Sequence, residues 1–134
     1  MPHDDREAIP DDSFVYRSVP ATDLPSNDNG GKRLGSGAFS ASRKDRDPYE
    51  GMSVDAGPLM EAAGVPEISA KKTHHPALVR LQAGRLRALG CLVGTDNLPN
   101  NPYHAQVWGV GNKSRRIRKA AEWVIRPADV DEVV

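Results

Sequence analysis

Residues 103–126 read YHAQVWGVGNKSRRIRKAAEWVIR, and the division of this stretch decides the fold. Tyr103, Ala105 and Val107 alternate with His104, Gln106 and Trp108, the period of two that gives a strand two unlike faces. Gly109 and Gly111 interrupt the pattern. Ile117, Ala120, Ala121 and Val124 then recur at helical spacing, Ser114 stands where an N-cap belongs, and Pro127 forbids continuation. The reading predicts a strand over 103–110 and a helix over 114–126.

Upstream, Ala77 to Leu81 and Cys91-Leu92-Val93 read as short apolar strands. Between them, Ala83 to Leu89 forms a helix stopped by Gly90. Phe14 to Val19 is aromatic and β-branched with period-two alternation, and Pro20 ends it. From Ala21 to Gly37 the chain is rich in Pro, Asn, Asp and Gly, which predicts a long loop. Weaker signals place a strand over Ala38 to Ser42, another at Met52-Ser53-Val54, and a helical turn over Leu59 to Ala63 closed by Gly64. The fold class expected is α+β. A small, mostly antiparallel or mixed sheet would be covered by two short-to-medium helices, with long irregular N-terminal loops.

A chain of 134 residues is one domain in length. We expect residues 1–12 to be a mobile acidic tail that adds little to the core, residues 13–126 the single domain, and residues 127–134 an acidic C-terminal tail. Cys91 is the only cysteine, so no intrachain disulfide can form. The first residues, MPHDDREAIPDD, lack the basic and apolar regions of a secretory signal, and no apolar run is long enough to span a bilayer. A soluble, cytoplasmic protein without membrane contact is therefore expected. Its oligomeric state is not legible.

Formal net charge is zero, but the charges are segregated. Residues 1–70 carry thirteen acids and seven bases, whereas residues 71–121 carry ten bases against the single acid Asp96. Either acidic segments fold over the basic stretch, or that stretch is exposed to an anionic partner such as an acidic protein or nucleic acid. Arg115, Arg116, Arg118 and Lys119 crowd the start of the predicted helix, where cations oppose the macrodipole, so a compensating anion is expected. The candidate anion-binding set is Gly109, Gly111, Lys113, Ser114, Arg115, Arg116, Arg118 and Lys119, with Arg85 and Arg87 as possible extensions. Trp108 and Tyr103 fall on opposite faces of their strand, so no base-stacking platform is expected.

The order strand, glycine turn, Lys113-Ser114, helix resembles a shortened phosphate-binding loop of the Walker type. Such loops need four residues between their glycines and a glycine directly before the lysine, whereas here one residue intervenes and Asn112 precedes Lys113. Two readings stay open for 109–114: an ordinary tight turn, or a phosphate-sized cradle.

Tyr16-Arg17 on an early strand, with Ser40-Ala41-Ser42 on a later one, resembles the sheet framework of ADP-ribosyltransferases. The resemblance implies an alternative pocket built on Tyr16, Arg17, Ser40 and Ser42, with the dinucleotide held by the arginine and serine and a glutamate acting later. The late glutamates are Glu122 and Glu132. His74, His75, His104 and Cys91 show no metal-ligand spacing, so no metal is expected. The expectation favoured overall is a non-enzymatic binding module without a cofactor.

Overall fold

The computed structural model describes residues 3–26, 31–40 and 51–127. Among the described residues six strands form one antiparallel sheet: β1 (Phe14–Val19), β2 (Gly51–Ala56), β3 (Ala77–Gln82), β4 (Leu92–Thr95), β5 (His104–Trp108) and β6 (Glu122–Ile125). Their order is β4-β5-β2-β1-β3-β6. The described residues also form three short α-helices: α1 (Gly57–Ala62), α2 (Ala83–Ala88) and α3 (Ser114–Ala120). The fold is α+β, as its alternating strand signals indicated. Among the described residues no helix is long and apolar enough to cross a membrane.

Period-two patterning sorts the side chains. Val15 and Val19 of β1, Met52, Val54 and Ala56 of β2, Val79 and Leu81 of β3, and Ala105 and Val107 of β5 share one face and are buried. Leu86 of α2 and Ile117, Ala120 and Ala121 around α3 pack on that face. Full burial of a side chain such as Leu86 or Ile117 contributes about 1.5–3 kcal/mol of transfer free energy. The opposite face is covered by α1 and a one-turn 3₁₀ segment, Glu67–Ala70, with Met60 of α1 and Ala70 buried together with Tyr16 and Leu78 of the sheet.

α2 ends at a left-handed glycine. Gly90 has φ of +89°, its N–H donates to the Arg87 carbonyl, and the Cys91 N–H donates to Leu86. This is the double bond pattern that closes a helix and turns the chain into β4.

The structure corrects the predicted helix over 114–126. α3 stops at Ala120, and residues 122–125 form β6 on the outer edge of β3, with Val79 opposite Trp123 and Arg80 opposite Glu122. Trp-Val-Ile is an aromatic and β-branched run, and the open ladder of β3 decides its state over the helical spacing of Val124. Ser114 opens α3 but does not cap it, because Lys113 is the N-cap and the Ser114 hydroxyl donates to the Phe39 carbonyl at 2.8 Å.

No strand forms over Ala38 to Ser40. Ser36–Ala38 make a 3₁₀ turn and Phe39 follows it into the core, fully buried, while Ala41 and Ser42 lie outside the described residues. The predicted loop over 21–37 carries a second 3₁₀ turn at Ala21–Asp23, and Leu34 drops into the core.

Residues 3–12, expected to contribute little, place Ile9 fully inside the core. The Asp5 N–H donates to the Val93 carbonyl, so this segment runs against β4. Of the acidic tail expected over 127–134, residues 128–134 lie outside the described residues.

Candidate functional sites

The basic residues divide into two groups. Arg87 is drawn inward: its side chain is 5% exposed, Nε bonds Asp4, Nη1 bonds Asp11 at 2.8 Å, and Nη2 donates to the Val93 carbonyl. Arg80 donates from Nε and Nη2 to Glu122 Oε2 and lies over the Phe14 ring. Acids of the chain therefore neutralise Arg80 and Arg87. Arg85, Arg115, Arg116 and Lys119 are exposed, and among the described residues none of them has a carboxylate within ion-pair distance.

α3 docks on the loop that follows β1 through two bonds to main-chain carbonyls. Ser114 reaches Phe39, and Arg118 Nε donates to Leu34 at 2.6 Å. This docking leaves a groove of about 550 Å³ between α3 and the loop, into which Arg33, Arg115, Arg118 and Lys119 converge. Asp23 is the single acid in its lining among the described residues. Gly35 belongs to its floor, and a Cβ there would stand 2.9 Å from the Asp23 carbonyl and from Pro25 Cδ, so the two arms of the loop meet only because this residue is glycine. Arg33 was missed in the sequence because it lies in the turn-rich segment far from the helix.

Arg116, although exposed, is not part of the groove lining. Gly109 and Gly111 adopt φ of +82° and +33°, and the turn closes on itself where the Lys113 N–H donates to the Val110 carbonyl at 2.7 Å. α3 behind it has two turns, and its first hydroxyl is already committed to Phe39. Gly109, Gly111 and Lys113 are thus placed beside the groove in sequence but do not line it.

A second cleft, of about 580 Å³, opens within the sheet. β1 pairs with β3 along its whole length, from Phe14 opposite Gln82 to Val19 opposite Ala77. It pairs with β2 only at Val15 opposite Ala56 and Tyr16 opposite Asp55. Beyond Tyr16 the two strands part, and Tyr16, Arg17 and Ser18 face Ser53, Val54 and Asp55 across the gap.

Arg17 shares its side of β1 with Val15 and Val19, yet carries a charge. Its Nη1 donates to the Ser53 carbonyl at 2.7 Å, in place of a strand partner, and its Nε donates to the Ala38 carbonyl at 3.0 Å. Burial pushes this guanidinium below the usual arginine value, and the Asp23 carboxylate pulls the other way. Tyr16 donates its hydroxyl to Glu67, and burial followed by that carboxylate pushes the phenol up to about 12.

On the other face of β1, Ser18 Oγ accepts the Lys72 N–H and lies 2.8 Å from His75 Nδ1. Burial, then the neighbouring His74 and the Lys72, Arg17 and Lys71 charges, lower the His75 pKa from the ordinary imidazole value. Of the alternative pocket, Tyr16 and Arg17 meet in this cleft. Ser40 instead donates to the Gly37 carbonyl, and Ser42 and Glu132 lie outside the described residues. Glu122 is engaged with Arg80 on the outer strand.

Cys91 is buried with its thiol toward the Gly109 carbonyl, while His104 Nδ1 lies 2.8 Å from the Asp96 carbonyl. Nothing among the protein-family models, curated proteins and solved structures compared with this chain matches it.

Proposed function

We propose that the protein is a non-enzymatic binding module whose cationic groove, between α3 and the loop that follows β1, receives an acidic segment of another protein. The observation that carries this reading is the convergence of Arg33, Arg115, Arg118 and Lys119 on one groove whose only described acid is Asp23. Like charges held together in a concavity raise the local potential, and an anionic guest relieves it. Arginine is suited to the task because its planar fork meets carboxylate or phosphate oxygens two at a time.

An acidic protein is favoured over single-stranded nucleic acid because the exposed large apolar side chains among the described residues are Ile68, Leu92 and Leu98, none of them aromatic. A base-stacking surface is missing from that set.

Fluorescence anisotropy with labelled polyglutamate and with a labelled DNA duplex tests the reading across a salt series. Polyglutamate is expected to bind, to weaken as salt rises, and to lose about tenfold in affinity in the Arg115→Glu/Lys119→Glu double variant. Tighter binding of the duplex would replace the protein partner by a phosphate backbone. Binding of neither probe would end the proposal.

A further inference from the structure

We propose that the cleft where β1 parts from β2 binds a small phosphorylated ligand of nucleotide size, with Arg17 supplying charge at its inner wall and Lys72 at its exposed rim.

Three observations carry this assignment. The first is Arg17 itself. Its two hydrogen-bond partners are neutral carbonyls, and no carboxylate stands within ion-pair distance among the described residues. Nη2 has no protein partner there and is not sealed from solvent. A largely buried cation whose one acting carboxylate, Asp23, stands beyond ion-pair distance is incompletely balanced, and a guanidinium lining a cleft offers a phosphate further donors.

The second is the charge of the walls. Arg17, Lys71 and Lys72 stand against Asp23 and Asp55, and Asp55 is already engaged by the Asn101 amide at 2.9 Å. Lys71 Nζ donates to the Lys72 and His75 carbonyls, which fixes its charge beside the cleft. The third is size and polarity. A volume of about 580 Å³ falls in the usual range for small-ligand sites, and Ser53, Ser69 and Asn100 supply neutral hydrogen-bonding groups of the kind a sugar or base engages. The parted strands also leave main-chain groups of β1 and β2 unladdered along the gap.

The assignment is independent of the groove beside α3, and the two can be separated. Isothermal titration calorimetry of the full chain with adenosine monophosphate, adenosine diphosphate and inorganic phosphate is the test. Saturable binding of a nucleotide is expected, weaker binding of inorganic phosphate, and about a tenfold loss of nucleotide affinity in Lys72→Glu, whose side chain makes no structural bond among the described residues. Arg17→Lys keeps a charge but loses the fork, and is expected to weaken nucleotide binding further. If Arg17→Lys does not fold, Lys72→Glu still decides. Nucleotide binding that survives Lys72→Glu but is lost in Arg115→Glu/Lys119→Glu would overturn the assignment by moving the ligand to the other groove. So would the lack of any saturable heat, or inorganic phosphate binding as tightly as either nucleotide.

Discussion

Arg87 holds Asp4 across a sequence distance that spans most of the domain, tying the first residues of the chain to the helix behind β4. With the Arg87 side chain 5% exposed and Asp4 21% exposed, removing one partner strands the other in a poorly hydrated site. Arg87→Ala is expected to cost about 2 kcal/mol, read as a lower midpoint in urea at unchanged slope. Arg85→Ala, at an exposed position one turn face away, is expected to change stability by no more than about 0.5 kcal/mol.

Acid should unfold the protein through the same segment. Burial raises the Asp4 carboxyl, but bonds from Arg6, Arg87 and the Val93 N–H outweigh it and hold the group below the usual carboxylate value. Asp5 is lowered first by the Ala8 N–H, with burial opposing and Thr95 assisting. Because both folded values lie below the unfolded one, the folded state binds fewer protons. Their contribution is complete above about pH 3.9 and is lost as pH falls through the folded values. Urea midpoints measured from neutral pH downward are expected to drop most steeply below about pH 4, and Asp4→Asn to flatten that limb.

Cys91 should be inert in the folded state. Burial pushes its thiol up, against a smaller pull from Lys113, so little thiolate exists at neutral pH. A disulfide reagent is expected to label it only as fast as the protein opens, and urea to accelerate labelling in step with unfolding. Rapid labelling of the native chain would contradict the packing described.

Gly35→Ala is expected to disturb the groove without touching a charge. Its new Cβ would press on the Asp23 main chain at 2.9 Å, which cannot swing aside as a side-chain tip would. We expect a loss of about 1–3 kcal/mol in stability together with weaker polyglutamate binding. Gly64→Ala provides the comparison, since φ of +72° strains alanine there but nothing crowds the site.

Much of the sheet was legible because period-two alternation is a local signal: β1 and β3 begin at Phe14 and Ala77 as their patterns do, and β5 (His104–Trp108) lies inside the strand expected over 103–110. The helix over 114–126 was misread because Val124 satisfies a helical stripe and a strand equally well, and only the open edge of β3 settles it. Arg115, Arg118 and Lys119 could be named as cations from the sequence. Their meeting with Arg33 depends on a loop folding back through Gly35, for which no periodic signal exists. The cleft was half legible. Tyr16-Arg17 stood out on a strand, but the parting of β1 from β2 is a property of pairing between distant segments, and no run of residues announces it.

The bond from the Asp5 amide to the Val93 carbonyl also has a bearing on solubility. β4 is an outermost strand, and such margins invite pairing with other molecules unless something occupies them. The leading segment shields that margin while its Ile9 plugs the interior, so trimming the protein back to Phe14 would bare a hydrogen-bonding rail and an oily socket together. A shortened version is expected to self-associate before it unfolds.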